Sequence, residues 1–359
     1  MTLLQPPKSA YSKASQKIWF TYAQNANCFQ QGLLGLTDSY IAGNLYLRFP
    51  EAEPLKAKRI EVSITGTEYV HWTEQVLRTR CVYDASTNTY RTVTYYETIH
   101  YLHEQQILNR SLLLWESKSL KDNGTSNKKL PEKITKMNLP FQLSLPDDLP
   151  PSMNLVVGRI YYNVNAKIKR KRNFWKFQGS NKSVKCSCLI TRYSPMPMPA
   201  PVRWVEWDNS KAWKRGVGYN ISMAYDTFGP GNPIIVKLAL KFLKPDSKIK
   251  ELFVGLKEYN LFRASGATKL NKGYVKERRI LGNQFPKILN AKNEWSSVLR
   301  IDALDKVSWT TERYHINVYH KVKIKIRFGI FGPKNVNLER KVNIENIANV
   351  SNYEYKNSE

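Results

Sequence analysis

Five cations crowd one short stretch of this chain, Lys167, Lys169, Arg170, Lys171 and Arg172, and four more, Lys321, Lys323, Lys325 and Arg327, recur at every second position further on. Such side chains do no covalent chemistry unaided. They give charge-assisted hydrogen bonds to phosphate oxygens and attract anionic lipid headgroups, each Lys or Arg near a membrane surface contributing on the order of 1 kcal/mol. Both stretches are candidate sites for anionic lipid or phosphate. The second also fits a plainer role, because alternating lysines solvate the outer face of a sheet and block edge pairing. The bias runs through the chain: 56 Lys+Arg against 29 Asp+Glu give 56 − 29 = +27 over 359 residues.

A charge of that size raises nucleic acid as the alternative partner, and Arg172-Asn-Phe174-Trp175-Lys-Phe177 interleaves aromatics that could stack on bases with cations that could hold phosphates. No recognisable single-strand module surrounds it, and the cations are spread over both halves, so nucleic acid is the second choice. Enzymatic signatures are missing: there is no Gly-rich phosphate loop, no G-x-S-x-G elbow and no H-E-x-x-H, and Asp147-Asp148 sits in a turn between prolines. No catalytic residue and no cofactor is expected. Cys186-Ser-Cys188 places two thiols on one face of a strand, where His100 and His103 could join them around a metal. Zinc sites favour C-x-x-C turns, so buried thiols are the simpler reading and no metal is expected. Four cysteines in so long a chain fit a reducing compartment.

The elements that must carry these side chains are strands. Leu45, Leu47 and Phe49, then Ile60, Val62 and Ile64, then Val164, Ala166 and Ile168 alternate with polar residues, as do Ile234 to Phe242 and Val322 to Phe328. Turn signals stand at Ala42-Gly43, Asp84 to Asn88, Pro146 to Pro151, Gly229-Pro-Gly231 and Pro245-Asp-Ser247. Short strands so punctuated predict an all-β chain of sandwiches, and the length suits two domains. Ile99 to Asn109 reads equally as a helix or as a continued strand. Lys118 to Lys136 reads as a mobile surface loop, and four prolines in Ser194 to Pro201 predict a stiff connector that forms no sheet ladder. The predicted division is a disordered 1–14, a first domain over 15–193, a hinge at 194–201, a second domain over 202–345 and a frayed 346–359. No apolar run is long enough to span a bilayer, and Pro6-Pro7 interrupts any signal-peptide core, so a cytosolic protein is expected.

The order of these strands and turns resembles the arrestin fold, in particular the α-arrestins, or arrestin domain-containing proteins. In the first half the resemblance lies in GNLYL (Gly43–Leu47), LKAKRIEVSITG (Leu55–Gly66), FQLSLP (Phe141–Pro146), LPPSM (Leu149–Met153) and YYNVNAKIKR (Tyr161–Arg170). In the second it lies in GNPIIV (Gly231–Val236), IKELFVGLKE (Ile249–Glu258) and YHKVKIKIRF (Tyr319–Phe328). It implies two tandem immunoglobulin-like β-sandwiches, arrestin N- and C-type, joined by a short proline-rich hinge. It also implies a non-enzymatic adaptor at the plasma membrane or endosomes, with membrane transporters or receptors as cargo and trafficking or ubiquitin-ligase machinery as partners. The Pro-Pro-x-Tyr motif by which such relatives hold ligase WW domains is missing, since Pro6-Pro7 and Pro150-Pro151 lack the tyrosine. Leu112-Leu-Leu-Trp-Glu116 matches a clathrin-box pattern, and a buried strand is the preferred reading of it.

Overall fold

The alternation is realised as strand after strand. A computed structural model describes residues 17–117, 131–170, 181–197, 201–229, 232–243, 249–264, 274–284, 294–301, 307–328 and 335–348. The first half contains β1 (Ile18–Tyr22), β2 (Gln30–Gln31), β3 (Tyr40–Arg48), β4 (Leu55–Asp84), β5 (Thr89–Glu116), β6 (Glu132–Ile134), β7 (Lys136–Ser144), β8 (Met153–Asn154), β9 (Gly158–Arg170) and β10 (Asn181–Cys188). One sheet runs β1-β3-β2 with β7 on β3; the other runs β10-β9-β4-β5, with β6 on β4 and β8 on β9. Period-2 side chains from both, such as Phe20, Leu45 and Phe141 against Ile60, Ile64, Val164 and Ile168, meet in one core. Each large aliphatic buried there contributes about 1.5–3 kcal/mol.

The second half contains β11 (Ser194–Pro195), β12 (Val202–Glu206), α1 (Ser210–Arg215), β13 (Val217–Met223), β14 (Thr227–Phe228), β15 (Ile234–Phe242), β16 (Ile249–Arg263), β17 (Tyr274–Gln284), β18 (Glu294–Ile301), β19 (Thr311–Glu312), β20 (Ile316–Phe328), β21 (Val336–Ile344) and β22 (Ile347–Ala348). Sheet β12-β13-β15-β18 covers sheet β14-β21-β20-β16-β17, with β19 on β20. The core between them includes Ile221, Val236 and Leu240 facing Val254, Val322 and Ile324. The expected all-β sandwich class therefore holds.

Two strands of the second half pass through both cores. On β16, Leu252, Val254 and Leu256 lie in the second core and Phe262 in the first; on β20, Val322 to Ile326 lie in the second and Ile316 and Val318 in the first. Between them the inward positions turn polar. Glu258 and His320 are fully buried, with Glu258 accepting the Ser308 amide at 3.1 Å and the Asn260 side-chain amide at 3.0 Å. Phe262 lies so close to β9 that a Cβ on Gly158 would come within 2.6 Å of its ring. A second close approach fixes Tyr162, whose ring would meet a Cβ on Gly66 at 2.5 Å and whose hydroxyl donates to the Pro150 carbonyl at 2.6 Å, anchoring the Pro146 to Pro151 turn in the first core.

Several local expectations are corrected. Ala42-Gly43 is no turn but lies within β3, where Gly43 leaves room for the Thr21 carbonyl across the pair, 2.5 Å from where a Cβ would stand. Ile99 to Asn109 belongs to β5, because continuous pairing with β4 satisfies its backbone, whereas a helix forms at Ser210–Arg215, capped by Asn209 and closed by Gly216 at φ 82°. The described end of the Lys118 to Lys136 stretch is strand, β6 and the start of β7. The connector does enter a ladder: Ser194–Pro195 pairs in parallel with Ile347–Ala348, and the Ser194 amide donates to the Asn346 carbonyl at 2.9 Å. Proline still accepts at its own carbonyl, and the chain expected to fray from Asn346 is tied down through Ala348. Residues 1–16 and 349–359, most of 194–201 beyond Pro197, Pro230-Gly231 and Pro245 to Ser247 lie outside the described residues.

Candidate functional site

Strand alternation splits the first basic stretch in two. Lys167 and Lys169 are exposed on the outer face of β9, while Arg170 turns inward with Ala57 opposite it. On the outer face Lys169 stands between Arg59 and Asn181, and Lys167 between Glu61 and Ser183. Two acids share this face, Glu61, engaged by Arg59 at 3.2 Å, and Glu116, opposite Arg59 on β5, so the three cations exceed them by one. The face continues with Arg159, stacked over Tyr69 at 4.5 Å and Tyr161 at 5.3 Å, and with Lys185 over Tyr161 at 5.9 Å. At the sandwich end, Arg170 adjoins Lys182 and Lys17, and both ammonium groups lie over the Phe49 ring, at 5.6 and 5.9 Å. Burial holds the Lys182 pKa below its ordinary value, and repulsion from Arg170 and Lys17 adds to it. Lys171, Arg172 and the aromatics Phe174, Trp175 and Phe177 lie outside the described residues.

The second basic stretch is built differently. Lys321 and Lys323 both reach Glu339 on the neighbouring β21, Lys321 at 3.2 Å, and Arg327 meets Glu251 on β16 at 3.0 Å. Glu339 is held below the ordinary carboxylate range, chiefly by the hydrogen bond from Lys323 and also by that from Lys321. Lys325 stands between Phe253 and Asn337. Three of the four cations are thus ion-paired across the sheet, but by two acids, so the row keeps net positive charge while only Lys325 is without an ion pair among the described residues.

Other residues singled out by sequence are placed just as plainly. Cys186 and Cys188 are buried in the first core, where desolvation pushes the Cys186 thiol up to about 11 and Cys188 higher still. His100 lies instead beside His71, and His103 stacks on His315 with ring centroids 3.3 Å apart. Leu112 to Glu116 is strand, but on edge strand β5, with Leu112 and Leu113 exposed rather than buried. Sequence reasoning overlooked a buried polar junction between the halves: Arg313 donates to Glu68 at 2.7 Å beside the His103–His315 stack. Burial, then His315, lowers the His103 pKa. The buried sequence Glu258, His320, Thr310 has the residue types of an acid–base relay. Its hydroxyl is committed to the fold, with Thr310 Oγ1 accepting the Ile344 amide at 2.8 Å. Lys17, Arg59 and Lys182 were also missed, because only the pairing register brings them to Lys169 and Arg170.

Residues 20–192 match the family model for the arrestin (or S-antigen) N-terminal domain. The first sandwich is therefore an arrestin-like N-terminal domain, and the matched segment takes in its two sheets apart from the first two residues of β1, and the described basic surface apart from Lys17. An arrestin domain points to a family of non-enzymatic adaptors. No curated protein matches the chain.

Proposed function

We propose that this chain is a non-enzymatic adaptor of the α-arrestin kind, which binds membrane transporters or receptors as cargo and links them to trafficking, endocytosis or ubiquitination machinery. In this reading residues 15–193 and 202–345 are the two units and 194–201 the hinge. The protein works in the cytoplasm, peripherally on the plasma membrane or endosomes. A ligase would be engaged through a surface other than a Pro-Pro-x-Tyr segment. The observation that carries the proposal is the outer face of β9, within an arrestin N-terminal domain, where Lys167, Lys169 and the adjoining Arg59 exceed the two acids beside them, Glu61 and Glu116. Anionic headgroups or phosphorylated cargo segments supply the charge such a surface lacks.

The test is flotation with vesicles of mixed phosphatidylserine and phosphatidylcholine. Replacing Lys167 and Lys169 by Glu removes two attractive charges of about 1 kcal/mol each and adds two repulsive ones, so vesicle affinity falls by about 30-fold or more, and wild-type binding weakens steeply with salt. Unchanged vesicle binding, or wild-type protein that ignores vesicles and copurifies with nucleic acid, would overturn the reading.

A further inference from the structure

Beyond Val70, the last residue of β4 paired with β9, the β4–β5 hairpin continues without a third strand among the described residues, from Trp72 opposite Tyr101 to Asp84 opposite Thr89. At about 3.4 Å per residue this two-stranded ribbon projects about 40 Å. Its two faces differ sharply. One carries every charge of the ribbon and balances them internally, three Arg against three acids. Arg78 pairs with Glu97 at 2.9 Å and Arg91 with Asp84 at 3.9 Å, Arg80 lies over the Tyr95 ring, and Glu74 accepts from the Tyr101 hydroxyl. The other face, read at every second pair from His71↔Leu102 to Tyr83↔Tyr90, has fourteen side chains and not one Asp, Glu, Lys or Arg. In a chain that is 24% charged, such a face stands out.

Its large side chains are exposed at three evenly spaced levels: Leu102 at the base, Leu77 and Tyr96 at the centre (56% and 70%), and Tyr83 and Tyr90 at the tip (51% and 77%). Between them stand threonines and Gln75, too polar for the interior of a bilayer but close to the tyrosine-rich, charge-poor composition of protein interfaces. We propose that this face is a self-association surface on which a second copy of the chain lays its own ribbon, antiparallel, about a twofold axis through the Leu77–Tyr96 pair. The spacing is self-complementary: centre meets centre, and each tyrosine tip meets the other copy's His71 and Leu102. The charge distribution favours the same partner. Two molecules of +27 repel, yet the ribbons are neutral, and the antiparallel arrangement keeps the two sandwich bodies at opposite ends, several screening lengths of about 8 Å apart. A strip about 40 Å by 10 Å on each copy, about 800 Å² in total, falls below the roughly 1,200 Å² of stable specific interfaces, so the dimer is weak and transient, with a dissociation constant in the micromolar range. This inference is independent of how the basic surface is used.

Sedimentation velocity of the full chain between about 1 and 100 µM tests it. Wild type passes from monomer to dimer over that range, whereas Tyr96→Lys and Tyr96→Glu, each setting like charges against themselves on the axis, stay monomeric. Mixing the two variants restores a dimer, which also shows that both remain folded. A wild type that is monomeric throughout, a Tyr96→Lys variant that dimerises like wild type, or a mixture that does not associate would each overturn the proposal. So would a monomer whose uncharged face binds neutral phosphatidylcholine vesicles and loses that binding in Tyr96→Lys.

Discussion

Strands β9 and β20 are each 13 residues long, and each alternates buried aliphatics with lysines on the outer face. Their inner faces behave alike, Ile168 and Ile324 both being fully buried. Outside they differ. The β20 cations Lys321, Lys323 and Arg327 meet Glu339 and Glu251 on adjacent strands, while Lys169 of β9 meets Arg59, and the Glu61 beside Lys167 is already engaged. A strand's own pattern sets which residues face solvent; its neighbours in the sheet set whether the charges on that face are ion-paired. Both outer faces keep net positive charge, but among the described residues Lys167 and Lys169 make no ion pair, whereas on β20 Lys325 alone makes none.

The equivalence of the inner faces has the largest expected effect. Ile168→Ala and Ile324→Ala should each cost about 2–5 kcal/mol in denaturant unfolding, through lost burial and the cavity left behind. A negligible loss at either position would break the comparison at its common part. Next, Glu339→Gln releases Lys321 and Lys323 and should make the β20 face more like that of β9, strengthening binding to anionic vesicles about 5-fold for roughly 1 kcal/mol of newly available attraction. No gain in flotation would show that release of these lysines is not enough to recruit the second face.

The smallest effect concerns acid stability. The folded state lowers the Glu339 pKa from 4.5, so its ion pairs add stability that is fully present above about pH 5 and is lost as pH falls through the lowered value. For a partly exposed pair the contribution is about 0.5 kcal/mol at neutral pH. Glu339→Gln should therefore unfold at slightly lower denaturant than wild type at pH 7 and at the same concentration near pH 2. A gap that persists at pH 2 would assign the loss to packing instead of charge.

How far the fold was legible in the sequence follows the range of the interactions. The alternation at Ile60 to Ile64 and Val322 to Phe328 reports local geometry, and strands formed there. Ile99 to Asn109 stayed ambiguous because its pattern supports two periods, and only the long partner β4 resolves it. The helix Ser210–Arg215, capped by Asn209 and Gly216, was not expected because it is too short to show a helical period. Nothing local announces that Ile347–Ala348 will lie beside Ser194–Pro195, or that Arg313 will reach Glu68. The candidate site was legible to the same extent. Lys167 and Lys169 could be assigned to an outer face, but their relation to Arg59, and that of Arg170 to Lys182 and Lys17, depends on register.

By itself, then, the sequence determined the all-β class, the alternating strands such as those at Ile60 to Ile64 and Val322 to Phe328 and the sign of the net charge, because side-chain alternation and net charge are properties of neighbours along the chain. Tertiary structure decided which basic strand has its cations ion-paired, where the two cores meet and on which side of the β4–β5 ribbon the uncharged face lies. Those outcomes depend on which strands become adjacent. Lys323 and Glu339, 16 residues apart, meet only because β20 and β21 pair in that register.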